Sequence, residues 1–526
     1  MKKAEPLEML PGGSHGFGAR NEIPPLPQAE PHAEIGHRAL EGSIWMIAAT
    51  GGAKALGFAC QLALAWFLTK EEFGVFAIAV SLSVILGILR DGGLQMVLVE
   101  KGRHFDSFAG PVFWMMLAIN TATGLMIAAV AQPAAAIYHL PELAGVITLF
   151  AISVPLCVLP SVLTLRLNVN MQFRTLGVIQ IASAVIRNTL MLYFAWAGYG
   201  AKSFILPLLI TNLTDTLLLW SLSRFSPWTR APNFRCWPEL FASGRWVVLG
   251  TFAIAAGNNG AYFVLGKFLP SDVLGTYFFA YQIVMQLGTL LAENFYQVLF
   301  AAFVRMGKDL ARIRAAVPRA LAVVVLVGAA ASLAIAAIFE ALERVLWHGK
   351  WAAAAPAVYI LASVWPAVAA VSVLRAVQAA MGRFHQWGII TLIGACVSVV
   401  GTVAGACYTK SAIGASIGFA VGALLAAALS ARFTLADIGI SAIDSALCAL
   451  RPWFVIAVCA LCAHLLGSLA AGSLLNLCAT ALSFAVLTLL GLKFIAHDCY
   501  RLVANSVQRV LRTRLFGQPI VEGESL

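Results

Sequence analysis

The amino-acid sequence predicts an all-α polytopic membrane protein with about fourteen transmembrane helices, arranged as two similar halves. The chain of 526 residues is 60% hydrophobic and only 11% charged, with a mean hydropathy of +0.86. A soluble domain has roughly 25% charged residues, so this chain has too few to cover an aqueous surface. Apolar runs of about 20 residues recur throughout, and each can cross about 30 Å of hydrocarbon. These runs are too long and too uniformly apolar for the strands of a β-barrel.

The apolar segments give the predicted spans in order. They lie roughly at 43–68, 73–90, 108–131, 143–165, 176–197, 203–223, 245–267, 272–300, 317–340, 353–376, 386–408, 411–435, 450–471 and 473–495. The first forty residues are rich in proline, glycine and charge, which is typical of a disordered tail. The last thirty place several arginines around an apolar face, which indicates an amphipathic segment along the membrane surface.

An internal repeat of about 200 residues divides these spans. Trp45 and Trp246 lie 201 residues apart, and each is followed by a similar order of landmarks that includes Gly74 and Gly275. Later landmarks recur at a spacing of 209, as for Arg166 and Arg375. Such a repeat predicts two six-helix lobes related by a pseudo-two-fold axis, plus two C-terminal helices.

The predicted domains follow from the repeat. They are a disordered cytoplasmic tail (1–41), an N-terminal lobe (42–224), a cytoplasmic loop (225–244), a C-terminal lobe (245–435), two further helices (436–496) and a basic amphipathic cytoplasmic tail (497–526).

Charge predicts the orientation in the membrane. Of the 35 lysines and arginines, two lie within spans, six fall in outer segments, and the remaining 27 fall in cytoplasmic segments. The six outer residues are Lys70, Lys202, Lys267, Arg344, Lys350 and Lys410. The positive-inside rule then places both termini in the cytoplasm. The net charge of +11 therefore reflects topology and contact with anionic lipid, and predicts no binding to nucleic acid.

The loops argue against an enzyme. The longest loop between spans is 224–244, and the outer loops contain no Asp-x-Asp pair. The sequence has no Gly-rich nucleotide signature that would support ATP hydrolysis. We predict no metal site and no cofactor, because Cys459, Cys462 and His464 fall in a span without a second pair of ligands.

Lys54 is the first of four ionisable residues near the middle of a span, where a charge usually faces a cavity or a partner. It shares one face of the first span with Thr50, Gly57 and Gln61. This pattern favours a cation that lines a wet cavity. The alternative is an ion pair with a distant acid such as Glu293.

Arg187 and Asp215 are the next two. They lie at equal distances from the turn near Ala201, so they are expected to meet on neighbouring antiparallel helices. They form either a structural ion pair or a pair in which Asp215 releases Arg187 during transport.

Glu293 is the fourth, and it lies in the longest row of polar residues in the chain. The row is Gln282, Gln286, Thr289, Glu293 and Gln297. Such a face meets water or protein, so Glu293 either senses a coupling proton or makes a structural contact between helices. Asn258 and Asn259 are predicted to line the same space. Arg90 and Asp91 are predicted to form a gate or interface pair at the inner end of the second span.

Several landmarks lie along the two halves of the sequence. They are Trp45, Phe67-Leu68-Thr69-Lys70-Glu71-Glu72-Phe73-Gly74-Val75-Phe76-Ala77, Asp91-Gly92-Gly93-Leu94, Gly266-Lys267-Phe268-Leu269, Gly275-Thr276-Tyr277 and Trp347-His348-Gly349-Lys350-Trp351. With these landmarks the chain resembles Wzx-type polysaccharide flippases of the multidrug/oligosaccharidyl-lipid/polysaccharide exporter superfamily. The resemblance implies a transporter of the bacterial inner membrane that moves an undecaprenyl-pyrophosphate-linked oligosaccharide by alternating access, coupled to an ion gradient. A polysaccharide polymerase and glycosyltransferases are its implied partners.

The resemblance gives roles to the candidate residues. Lys54, Arg187, Gln61, Asn258 and Asn259 are expected to bind the substrate headgroup, because a desolvated pyrophosphate must be paired with cations. Glu293 and Asp215 are expected to couple transport to the ion gradient. Glu293 is expected to be the better proton carrier, because Arg187 would hold Asp215 ionised. A multidrug cation antiporter, which would favour an acidic cavity, and a glycan-modifying membrane enzyme are the alternatives. The sugar composition, the coupling ion and the oligomeric state stay open.

Overall fold

The chain folds into long helices. The computed structural model describes residues 32–87, 105–229, 237, 255, 257, 259–307, 309–470 and 472–494, and these residues contain no β-strand. The α-helices are α1 (His32–Phe67), α2 (Lys70–Leu86), α3 (Phe105–Tyr138), α4 (Pro141–Leu156), α5 (Val158–Val169), α6 (Phe173–Trp196), α7 (Leu206–Ser223), α8 (Ser271–Met306), α9 (Leu310–Leu346), α10 (Ala355–Ala380), α11 (Phe384–Thr409), α12 (Ala412–Ile438), α13 (Ala442–Ser468) and α14 (Ser473–Phe494). Residues 259–268 form a further helical segment before α8. The predicted all-α fold is confirmed.

Ten helices in the described ranges are long and apolar enough to cross a membrane, or eleven if α4 and α5 form one bent span. With α4 and α5 counted as one bent span, these helices coincide with eleven of the fourteen predicted spans. The helix α1 is not among them, and its central turns contain Lys54 and Gln61. The spans predicted at 73–90 and 245–267 run into residues outside the described ranges. The count of fourteen is consistent with the structure without being fixed by it.

The segment predicted as a disordered tail overlaps the start of α1. The helix α1 begins at His32, so residues 32–41 are helical and only residues 1–31 lie outside the described part of the tail. Pro31 precedes the helix, and the next ten residues include alanine, glutamate, leucine and arginine, which all favour helix. Most of the loop 225–244 and the whole tail 497–526 also lie outside the described residues.

Prolines bend the fourth predicted span. The helices α4 and α5 meet at Cys157 with a bend of 41°. Pro155 lies in the last turn of α4, and Pro160 lies just inside α5. Each proline removes a backbone donor from the ladder, which explains the break. Thr164 of the bent segment α5 then lines the cavity described below.

The two halves meet through reciprocal contacts. A Cβ atom at Gly74 would lie 2.0 Å from the carbonyl oxygen of Ser271, and one at Gly275 would lie 1.8 Å from that of Lys70. Gly74 and Gly275 are 201 residues apart, and so are Lys70 and Ser271. At the crossing of α2 and α8, Gly74 of the first half meets Ser271 of the second, and their repeat counterparts Gly275 and Lys70 meet in the same way. A two-fold axis requires such reciprocal contacts.

A second reciprocal pair joins the halves at the same end. The Tyr138 hydroxyl donates to the carbonyl oxygen of Phe263 at 2.7 Å, and the Trp347 indole donates to that of Leu62 at 3.1 Å. Leu62 and Phe263 are 201 residues apart, and Tyr138 and Trp347 are 209 apart. Both spacings are those of the sequence repeat. The contacts therefore support the predicted pseudo-two-fold relation.

The turn between α9 and α10 fastens the C-terminal half to the end of α1. Lys350 Nζ donates to the carbonyl oxygens of Ala65 and Trp66 at 3.1 and 3.0 Å, and the Trp351 indole donates to Ala65 at 2.9 Å. Desolvation lowers the pKa of the Lys350 ammonium, and the nearby Glu72 carboxylate opposes that shift. We call these contacts the outer seal, because the turn lies at the end that the sequence predicts to be outside.

Candidate substrate cavities

Two cavities lie side by side in the helix bundle. The N cavity has a volume of about 640 Å³ and lies among α1, α5, α6 and α7. The C cavity has a volume of about 610 Å³ and lies among α8, α10, α11 and α12. Gln286 of α8 lines both, and a Cβ atom at Gly57 of α1 would lie 3.8 Å from its amide nitrogen. The two cavities therefore adjoin at the side chain of Gln286.

The packing of α1 against α6 places two cations in the N cavity. Trp45 bonds Arg174, Thr50 bonds Gln180 and Cys60 bonds Asn188, at sequence separations of 129, 130 and 128. A constant separation means that the two helices run parallel. Arg187 is then level with residues 57–59, three to five residues from Lys54, or about 4.5–7.5 Å along the helix axis. Both side chains are exposed, and both line the cavity.

Asp215 enters the same cavity from α7 but is not held by Arg187. Its carboxylate accepts a hydrogen bond from the Ser183 hydroxyl of α6. Arg187 lies close enough to act electrostatically on Asp215, yet none of the ion pairs in the described ranges joins them. The expected direct ion pair is therefore absent from this conformation, and the described donor to the carboxylate is Ser183, one turn before Arg187.

Lys54 likewise has no ion pair with Glu293 or with any other described residue. The N cavity thus holds Lys54, Arg187 and Asp215, which gives it a formal charge of +1.

Glu293 has a partner that the sequence argument missed. Its Oε1 lies 3.4 Å from Nη1 of Arg375 on α10. The Arg375 guanidinium also lies 4.0 Å from the ring centre of Tyr296 and 5.0 Å from that of Trp387. The predicted span ended at residue 376, so Arg375 counted as an end residue, whereas α10 continues to Ala380. A carboxylate inside a span needs a cation nearby, and a search for that cation would have identified Arg375.

The C cavity combines rings with amides and hydroxyls. Its aromatic residues are Phe76, Tyr262, Phe278, Tyr281, Trp365, Trp387 and Phe419. Its amides are Gln61, Asn259, Gln282, Gln286 and Gln378. In contrast, none of the described residues that line the N cavity is aromatic.

The predicted headgroup residues therefore divide between the two cavities. Lys54 and Arg187 lie in the N cavity, and Gln61 and Asn259 lie in the C cavity. Asn258 and the predicted gate pair Arg90 and Asp91 lie outside the described residues.

The fold is similar to the folds of two solved membrane transporters. It is similar to the lipid II flippase MurJ in an inward closed conformation, with a TM-score of 0.67 and 12% identity over 86% of this chain and 99% of that one. It is also similar to an inward-facing multidrug resistance transporter of the MATE family, with a TM-score of 0.57 and 14% identity over 74% and 94% of the two chains.

Residues 63–356 match the family described as "Polysaccharide biosynthesis protein", and the chain belongs to that family. The chain is 26% identical to the succinoglycan biosynthesis transport protein ExoT of Rhizobium meliloti, over 60% of this chain and 64% of that one. It is 22% identical to the lipopolysaccharide biosynthesis protein WzxC of Escherichia coli, over 62% and 66%. The matches span just under two thirds of the length of these relatives. The predicted family resemblance is confirmed.

Proposed function

We propose that this protein is a flippase that moves a pyrophosphate-linked oligosaccharide lipid from the inner to the outer leaflet by alternating access. The family and the relatives support transport in polysaccharide biosynthesis. The likeness of fold to MurJ supports a two-lobed carrier with a central path. The protein would then act with a polysaccharide polymerase and glycosyltransferases, in the inner membrane of a bacterium.

The charge of the N cavity is the observation on which the proposal rests. A pyrophosphate diester has two negative charges, and removing it from water requires cations at close range. Lys54 and Arg187 project into one cavity about one helical turn apart, and neither is in an ion pair within the described part of the chain. Asp215 accepts a hydrogen bond from Ser183 and forms no ion pair with either cation in the described ranges.

The same charge argues against the rival functions. A carrier of organic cations needs an acidic cavity, and here the formal charge is +1. A glycan-modifying enzyme needs a catalytic group near a sugar, and the outer loops are too short to supply one. Purified protein that bound a cationic dye more tightly than undecaprenyl pyrophosphate would favour the antiporter.

Substitutions of Lys54 test the proposal. In proteoliposomes, Lys54→Arg should keep flipping of the lipid-linked oligosaccharide, because the charge remains. Lys54→Gln removes a charge-assisted contact of about 1.5–3 kcal/mol, so flipping at low substrate should fall by about tenfold or more. Lys267→Gln is the matched control, because Lys267 is exposed and lines neither cavity. Full flipping by Lys54→Gln would contradict the proposal.

Energy is proposed to come from an ion gradient, since the sequence has no ATP-binding signature. Asp215 and Glu293 are the carboxylates on the proposed path. Protonating Glu293 breaks its ion pair with Arg375, whereas protonating Asp215 breaks no described ion pair. This comparison favours Asp215 as the proton carrier. From the sequence, Glu293 was preferred, because Arg187 was expected to hold Asp215 ionised.

A further inference from the structure

The two cavities are unlike in chemistry, although they lie in similar halves of the chain. The N cavity has charges and no aromatic residue among its described lining, whereas seven aromatic residues line the C cavity. Arg375 lines the C cavity, and its charge is already paired with Glu293, which lies 3.4 Å away and outside the described lining. A second anionic group is therefore not the expected ligand of the C cavity.

Several polar groups of the C cavity have unused hydrogen-bonding capacity. The amides of Gln61 and Gln282 line it and bond no other side chain or backbone group in the described ranges. The Tyr262 side chain is 3% exposed, and its hydroxyl has no hydrogen-bond partner there either. A buried hydroxyl without a partner costs free energy, so these groups fit a ligand that both donates and accepts hydrogen bonds.

The rings of the C cavity are held in place by their surroundings. Trp365 packs so closely on α8 that a Cβ atom at Gly288 would lie 1.7 Å from its indole nitrogen. Trp387 is half-buried and lies against the Arg375 guanidinium. Fixed ring faces carry partial negative charge, which attracts weakly positive C–H groups. A pyranose presents C–H groups on its faces and hydroxyls on its rim.

We propose that the C cavity binds the uncharged sugars next to the pyrophosphate, while the N cavity binds the pyrophosphate itself. This assignment rests on the proposed function and extends it to a second site. Gln286 lines both cavities, so the two proposed binding sites adjoin at one side chain. The volume of about 610 Å³ falls within the roughly 300–1,000 Å³ of known small-ligand sites.

Two probes separate the sites in purified protein in lipid nanodiscs. One is synthetic undecaprenyl pyrophosphate, which has no sugar. The other is the lipid-linked oligosaccharide extracted from membranes of a strain that lacks this gene. Gln282→Leu removes an amide that bonds nothing else in the described chain, and Trp387→Leu removes a half-buried ring. Gln386→Leu is the matched control, because Gln386 is exposed beside Trp387 and lines neither cavity.

The wild-type protein should bind the oligosaccharide lipid more tightly than undecaprenyl pyrophosphate. Gln282→Leu and Trp387→Leu should each weaken binding of the oligosaccharide lipid by about tenfold, with less than about twofold change for undecaprenyl pyrophosphate. Gln386→Leu should change neither, and thermal unfolding should show that every variant is folded.

Equal weakening of both probes, or no weakening of either, would overturn the glycan assignment. So would equal affinity of the wild-type protein for the two lipids. Lys54→Gln distinguishes the two proposals, because it should weaken both probes. If it weakens neither, the proposed function fails, independently of the C cavity.

Discussion

Lys350 allows the strength of the outer seal to be estimated from the structure. Its ammonium donates two hydrogen bonds, at 3.1 and 3.0 Å, to carbonyl oxygens at the end of α1. Hydrogen bonds from a charged donor contribute about 1.5–3 kcal/mol, and a cation at a helix C-terminus adds about 0.3–1 kcal/mol. Because Lys350 is only half-buried, we take about 1.5–3 kcal/mol for the whole contact. Removing it should raise the population open at the outer end by about tenfold to 150-fold.

The measurement is a distance distribution between the two halves at this end. Spin labels at Tyr199→Cys and Tyr408→Cys, in a background without native cysteines, report on it because both tyrosines are exposed. Lys350→Met keeps the apolar stem and should add a population at longer distance. Lys267→Met is the control, because the Lys267 ammonium forms no hydrogen bond or ion pair with the described residues. An unchanged distribution in Lys350→Met, or an equal change in the control, would refute the estimate.

Three further predictions concern the crossing, the coupling and the orientation. Gly275→Ala places a Cβ atom 1.8 Å from a backbone oxygen, so the free energy of unfolding should fall by about 1–3 kcal/mol. The control Gly388→Ala, with open space around it, should be neutral or stabilising. Equal effects of the two substitutions would count against the tight crossing. In proteoliposomes, Asp215→Asn should lose the response of transport to an imposed pH gradient and Glu293→Gln should keep most of it; the opposite result would return the coupling role to Glu293. A maleimide applied to intact cells should label Ser226→Cys only after permeabilisation, and external labelling would reverse the predicted orientation.

Local patterns in the sequence were sufficient for the helices and for the repeat. Hydropathy along one segment depends only on that segment, and eleven spans coincide with helices for this reason. The spacings of 201 and 209 were also visible, because equivalent turns keep their glycines and tryptophans. The structure adds that Gly74 and Gly275 lie at the crossing of α2 and α8, where each meets the backbone of the other half.

Partners of charged residues were harder to predict, because they depend on how the helices are rotated against each other. Asp215 and Arg187 share a cavity as their equal depth suggested, yet Ser183 holds the carboxylate. Glu293 was expected either to sense a coupling proton or to make a structural contact between helices, and its described partner is Arg375 of α10. Depth in the membrane follows from counting residues, whereas the choice among neighbours at one depth requires the packed structure.

The repeat also shows how one framework came to hold two different cavities. At the spacing of 201, the counterpart of Lys54 is Ala255. At spacings of 209–211, the counterpart of Arg187 falls at residues 396–398, which are cysteine, valine and serine. Neither cation of the N cavity is therefore repeated in the second half. Because a desolvated anion must be paired with cations, the N cavity is the site that we propose for it. The second half has the same helices, with rings and amides around the corresponding space. The two-probe binding experiment measures this difference between the two cavities.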